Sequence, residues 1–369
     1  MCFIFLLGEE WMNNLKKNYK SLLTISFSGI FIIYLVSIFN SENLNEYFKV
    51  FKNKIPYLFI GFSIVTTGKI DKKPLKITQY VFIVCAVLSS FWSYLQYYKN
   101  IDYYSHLYTK GEVIPTLIHH ISFSLLLCIA VVFILQHLLE AVSKFEKITY
   151  CLLLFWLVYY IHILSVRSGI VFLYLSILLF VLHILFTQKK KWFAAGLLLF
   201  IFLSAYYSYE FIPSIKNKIG YTVYGLNQLK TNRDSTNQIS DTRRILSDKI
   251  GIEIIKKHPY FGTGIGDLKE EMNQIYKSRY PAFNETVYSR IHNQYLYVMA
   301  GAGLISGIIF CILLLLPLIL FIKNKNAVFT ISYLMILLLM FWESFIENQL
   351  GNSIFLWVCS AGYVQNNDE

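Results

Sequence analysis

The chain has 369 residues, 56% of them hydrophobic and only 15% charged, with a formal net charge of +11. Soluble domains carry roughly a quarter charged residues, so the composition excludes an ordinary soluble protein and indicates an integral membrane one. Cys2, Cys85, Cys128, Cys151, Cys311 and Cys359 all fall in apolar stretches, which argues against disulfides and against a cysteine metal site.

The apolar start, residues 1–7, is too short for a signal peptide and runs into Glu9 and Glu10, so no cleaved leader is expected. Met12 is an equally natural start. A membrane helix needs about 20 mostly apolar residues. In chain order the candidates are residues 21–39, 78–97, 118–139, 148–164, 170–186, 192–207, 295–322 and 327–345, with shorter ones at 55–67 and 353–364. The expected fold is therefore all-α, a polytopic helical membrane protein with about ten transmembrane helices and one long external loop. The chain divides by sequence into N-terminal membrane helices (1–207), the external loop (208–294) and C-terminal membrane helices (295–369).

Orientation follows from lysine and arginine in the short loops, which stay on the cytoplasmic side. With the N-terminus inside, fourteen basic residues fall in inner segments and six in short outer loops. That bias places residues 208–293 outside the cell membrane. The loop holds thirteen basic and nine acidic residues, a modest excess that suits either an anionic partner or a solvated face. An external position argues against nucleic acid as a partner.

Arg167 stands in Leu164-Ser-Val-Arg-Ser-Gly169, between two apolar runs with no room for a loop. An arginine near a membrane costs from almost nothing at the interface to roughly 3 kcal/mol at the centre on insertion scales, which makes it a functional candidate. His119 and His120 fall on the same outer side with a weaker claim.

The external loop opens with a polar run to about residue 241, expected to cover the site or stay mobile. From 242 to 257, Leu246, Ile250 and Ile254 recur every four residues beside Ile255, which predicts an amphipathic helix on the membrane face of the loop. Asp241 or Thr242 can cap it, and Pro259 stops it. Arg243 and Arg244 sit in its first turn about 100° apart. Spacing leaves two readings open: pairing with Asp241 and Asp248, or one guanidinium forked onto a phosphate.

Gly262-Thr-Gly-Ile-Gly266 has the look of a phosphate-binding loop but lacks the Lys-Ser/Thr ending and a preceding strand, so a tight turn explains it better. His292 and Asn293 precede a membrane helix at its outer end, flanked by Tyr288, Tyr295 and Tyr297, which also suit an interfacial belt. Glu343 and Glu347, in Phe341-Trp-Glu-Ser-Phe-Ile-Glu-Asn-Gln-Leu-Gly351, map to the outer end of another helix, either as ion-pair partners for Arg167 or as acid/base groups.

Taken together, Ser165-Val-Arg167-Ser-Gly169, Thr242-Arg-Arg244 fifteen residues before Pro259, the Pro-Tyr-Phe-Gly-Thr-Gly-Ile-Gly turn, and His292-Asn-Gln-Tyr-Leu leading to Gly301-Ala-Gly-Leu-Ile-Ser-Gly307 resemble the O-antigen ligase family. That family includes ligases joining lipid-linked O-polysaccharide to lipid A core, O-antigen polymerases and protein glycosyltransferases. The resemblance covers about residues 118–362. One departure is Asp248, which stands where the family commonly has an aromatic residue.

The resemblance implies a membrane glycosyltransferase without cofactor or required metal, acting on an undecaprenyl-diphosphate-linked glycan donor and a lipid A core or other glycan acceptor at the lipid bilayer. It maps the diphosphate ligands to Arg167 and Arg244, with Arg243 the non-matching neighbour, and the general base or diphosphate-orienting group to His292. Asn293 and Glu343 are lower-ranked site candidates, Glu343 as an alternative base. O-antigen polymerase is the alternative activity. A transporter or flippase of lipid-linked sugars is disfavoured by the absence of an inverted repeat and of charged or broken helices near the midplane.

Overall fold

A computed structural model describes residues 13–14, 19–66, 72–109, 112–188, 190–212, 215, 217, 220, 240–279 and 290–366. The apolar start (1–7), Tyr288 and nearly all of the polar run to 241 lie outside the described residues, as do the side chains of Asp241 and Thr242. Among the described residues there is no strand, and the protein is an all-α polytopic membrane protein.

In chain order the α-helices are α1 (Leu22–Val36), α2 (Leu44–Phe51), α3 (Ile55–Thr66), α4 (Lys72–Lys99), α5 (Ile101–Thr109), α6 (His120–Glu140), α7 (Lys144–Leu164), α8 (Arg167–His183), α9 (Lys191–Phe211), α10 (Ser240–Lys257), α11 (Leu268–Arg279), α12 (Gln294–Ala302), α13 (Leu304–Lys323), α14 (Ala327–Leu339) and α15 (Gln349–Asn366). Local chemistry sets several of the boundaries. Ser21 accepts from the Thr24 amide to start α1, and Ser143 with Glu146 forms a capping box at the start of α7.

Among the described residues, seven helical stretches are long and apolar enough to cross a membrane: Leu22–Asn40, Lys73–Lys99, His120–Glu140, Lys144–Leu164, Arg167–Thr187, Lys191–Phe211 and Leu304–Lys323. The expected count of about ten is not confirmed, since the candidates at 55–67, 327–345 and 353–364 are not among these seven, and two of the longer expected spans change shape. The stretch 295–322 is broken at Gly303, which adopts φ +89° between α12 and α13. The stretch 327–345 is helical only to Leu339 and then turns through residues 340–344 into a short 3-10 segment, Phe345–Glu347.

The chain forms two compact units, one of residues 1–72 and 240–369, the other of 73–239. In the first, α1 lies close against α13. A Cβ on Gly29 would come within 2.6 Å of Leu313, and the Ser26 hydroxyl donates to the Leu313 carbonyl at 2.8 Å. Apolar burial drives little helix association inside lipid, so small residues that let backbones approach are what hold such a pair. In the second unit α6 is buried along most of its length and packs on α7 and α8. Gly169 allows the closest approach there, since a Cβ would meet that of Ser124 at 2.5 Å.

The expected helix is present as α10 and buries Leu246, Ile250 and Ile254 as the spacing predicts, but it is only weakly amphipathic, with Ile245 and Ile252 exposed. That face packs on protein rather than on a membrane face. It meets α11 and α12, and a Cβ on Gly251 would press on Ile291 at 2.9 Å. The three apolar positions are satisfied by neighbouring helices.

Candidate active site

The site forms where the first turn of α10, the residues leading into α12 and the turn after α14 converge. Arg244 Nη2 donates to Glu343 Oε1 at 3.1 Å. Arg290 Nη2 lies 3.6 Å from Glu343 Oε2, and His292 Nδ1 lies 3.7 Å from Oε1. One buried carboxylate thus gathers two guanidiniums and an imidazole. Burial alone would raise the Glu343 carboxyl, but His292, Arg244 and Arg290 outweigh it and bring it down to about 2. A carboxyl held that low stays ionised and is a weak proton acceptor.

The Arg244 side chain keeps 26% of its surface exposed and Arg290 keeps 50%, against 8% for Glu343. Both guanidiniums therefore hold donors that the carboxylate does not occupy, and such forks match phosphate oxygens. Arg244 pairs with Glu343, ninety-nine residues away, and also acts on Asp248 of its own helix, lowering that carboxyl against the larger effect of burial.

Asp248, one turn along α10 from Arg244, is the residue that departs from the family pattern. Burial pushes its carboxyl up from the ordinary value, opposed by His292, the Asn293 amide, Arg244 and Ser247. Its Oδ1 is buried without a hydrogen-bond partner. Asn293 acts on the backbone, where its side-chain oxygen accepts from the Tyr295 and Leu296 amides at 3.0 and 3.1 Å and caps α12.

Arg167 belongs to the other unit, where the Ser-Val-Arg-Ser-Gly motif is a two-residue junction between α7 and α8. Ser165 takes the left-handed conformation, φ 51°, and its hydroxyl donates to the His162 carbonyl at 2.6 Å. Arg167 is the first residue of α8 and half-buried. A cation there meets the positive end of the helix dipole, so helix stability does not account for arginine at this position. His119 precedes α6, its ring 4.5 Å from that of His120.

The glycine-rich turn is architecture. Gly262 donates to His258, Thr263 to Ala300, Gly264 to Gly301, Ile265 to the Ser37 hydroxyl and Gly266 to the Ser41 hydroxyl. All five amides are occupied, leaving none to cradle a phosphate. They explain the broken helix instead: the turn inserts at the α12–α13 break, taking the Ala300 and Gly301 carbonyls, while the Leu304 amide donates to Pro259 at 2.9 Å. Gly262 and Gly264 take φ +71° and +87°, and a Cβ on Gly264 would collide with the Asn40 carbonyl oxygen.

Sequence reasoning misses Arg290 as a member of this cluster, whereas it offers Asp248 as a possible partner of the arginine pair, and Arg244 does act on that carboxyl. Arg290 carries a usable signal, a cation two residues before a candidate histidine. Among the described residues no group of three or more His, Cys, Asp or Glu side chains is placed to hold a metal, and Cys85, Cys128, Cys151, Cys311 and Cys359 are free thiols.

Residues 152–311 match the family model described as O-antigen ligase. No curated protein matches the chain. The matched stretch contains Arg167, Arg244, Arg290 and His292, whereas Glu343 lies beyond it. Over this stretch, which is less than half of the chain, the protein is similar to the O-antigen ligase family.

Proposed function

We propose that the protein transfers a glycan from an undecaprenyl-diphosphate carrier to an acceptor at the outer face of the inner membrane, as in O-antigen ligation to lipid A core. The observation that carries the reading is the convergence of Arg244, Arg290 and His292 on one buried carboxylate within an otherwise apolar membrane protein. The charge bias of the short loops supports placing residues 208–294 on the periplasmic side.

In this reading the acceptor hydroxyl attacks the anomeric carbon and the bond from that carbon to the diphosphate oxygen breaks. Negative charge builds on the departing carrier diphosphate. Fixed guanidiniums beside a low-dielectric surface stabilise that charge more than the ground state, the role assigned to Arg244. Arg167 is assigned the same role, supported by its motif and its place at a helix start. Arg243 has no assigned part.

His292 takes the hydroxyl proton. With Nδ1 facing Glu343, Nε2 is the nitrogen left to accept, and the Glu343 anion stabilises the imidazolium that forms. Glu343 then orients the base rather than acting as one. The reaction so described uses no cofactor.

Reconstitution with a lipid-linked oligosaccharide and lipid A core tests the reading, with the joined product expected from wild type and lost in Arg167→Ala, Arg244→Ala and His292→Ala variants that insert normally. Full activity in all three would overturn the site assignment. A deletion strain that accumulates single lipid-linked repeat units, instead of long lipid-linked polymer, would make the protein a polymerase. Movement of lipid-linked sugar without a new glycosidic bond would make it a transporter.

A further inference from the structure

Four residues beyond Glu343, a second carboxylate lies in a largely buried polar cluster that the proposed chemistry does not use; its Oε1 takes the bonds, and Oε2 is buried without a hydrogen-bond partner. Lys54 has no exposed surface. Its ammonium donates to the Ile346 carbonyl, sits 3.5 Å from Glu347 Oε1 and lies over the Tyr34 ring at 4.4 Å. Glu347 Oε1 also accepts from the Tyr34 hydroxyl and, at 2.6 Å, from Gln294 Nε2.

Gln294 is equally buried and joins both ends of the turn that carries Glu343. Its amide donates to the Met340 carbonyl at 2.8 Å, and its side-chain oxygen accepts from the Ile346 amide at 3.1 Å. His292 is two residues upstream on the same stretch of chain. These bonds reach Met340, Ile346 and Glu347, so the segment bearing Glu343 is tied at both ends to the segment bearing His292.

A buried ion pair is a weak source of stability, because desolvating two charges offsets most of their attraction and apolar replacements often hold a fold as well. What a buried hydrogen-bonded network does supply is a single geometry. We propose that Lys54, Glu347 and Gln294 are positioning residues, a buried clamp that sets the spacing between His292 and Glu343. The clamp rests on the reading of His292 as a site residue, and it gives Gln294 of the His-Asn-Gln motif a role distinct from those of its two neighbours.

The test uses full-length protein in lipid nanodiscs: wild type, Gln294→Ala, Lys54→Met and the double variant Lys54→Met/Glu347→Gln. Two quantities are measured: the rate of His292 carbethoxylation by diethyl pyrocarbonate, read by peptide mass spectrometry, and kcat and KM for glycan transfer. Gln294→Ala is expected to modify His292 several-fold faster and to lower kcat by about 10²-fold with donor KM nearly unchanged, the signature of displaced chemistry rather than lost binding.

Lys54→Met alone strands a buried charge and is expected to lower folded yield. The double variant removes that charge, and its yield should recover while kcat and His292 reactivity stay displaced. Wild-type kcat and wild-type reactivity in both Gln294→Ala and the double variant would overturn the clamp and leave the pair with a purely structural role. If wild type transfers no glycan, the functional reading fails by itself, and His292 reactivity still decides the clamp.

Discussion

Glu343 and Glu347 stand four residues apart on one turn and have opposite surroundings. The partners of Glu343 are a guanidinium 26% exposed, another 50% exposed and an imidazole. The partners of Glu347 are an ammonium with no exposed surface, a buried tyrosine and a buried amide. An open cluster leaves cations able to take a second anion, whereas a buried one commits its charges to holding a shape. The contrast teaches that a carboxylate in a membrane protein is assigned by the freedom of its partners rather than by its depth.

Substitutions at the open cluster should remove groups that meet the substrate, and those at the buried one should displace those groups. The largest effect is expected for His292→Ala, a fall in transfer of about 10³-fold if the imidazole is the general base, with thermal unfolding little changed. Arg244→Ala should follow at about 10²-fold or more through lost charge stabilisation. Wild-type turnover in either variant would erase the distinction between the two carboxylates.

Glu343→Ala comes next and acts on stability as well as rate. Removing one member of a largely buried charge cluster is expected to destabilise by about 3 kcal/mol, read from unfolding in detergent. Gly264→Ala should cost about 1–3 kcal/mol through backbone strain, because its φ of +87° and the nearby Asn40 carbonyl leave no room for a Cβ. An unchanged unfolding midpoint there would show that the turn yields.

A pH series sharpens the same contrast. The folded Glu343 carboxyl is depressed to about 2 from an ordinary 4.5, so its contribution is complete above the unfolded value and is lost as pH falls through 4.5 toward 2. Glu343→Gln should flatten that acid limb of the stability profile. The smallest effect is expected for Asp248→Asn. Burial raises the Asp248 carboxyl, so its ionised form weakens the fold at neutral pH, and the neutral variant should unfold at a slightly higher temperature.

Most of the candidate site is legible in residue types and spacing. Arg167 has no room for a loop around it, α10 repeats an apolar residue every four positions, and the histidine sits in a recognisable order with the proline and glycines. Arg290 leaves only a faint trace, a cation two residues before the histidine, because an exposed cation in a charged loop is ordinary until a buried carboxylate is found beside it. Lys54 reads in the sequence only as a loop charge, since nothing local distinguishes a lysine that will be sealed under Tyr34 from one that stays in water.

The membrane class, the helical fold and the outline of the amphipathic helix follow from sequence alone, because composition and apolar periodicity are properties of single segments. Contacts across long chain separations are not. The break between α12 and α13 arises because the turn at residues 259–266 takes carbonyls that a continuous helix would have used, and the partner of Arg244 lies on a turn at the far end of the chain. Only the tertiary structure decides such matters, since a backbone carbonyl or a guanidinium pairs with whichever group the packing of distant helices brings within reach.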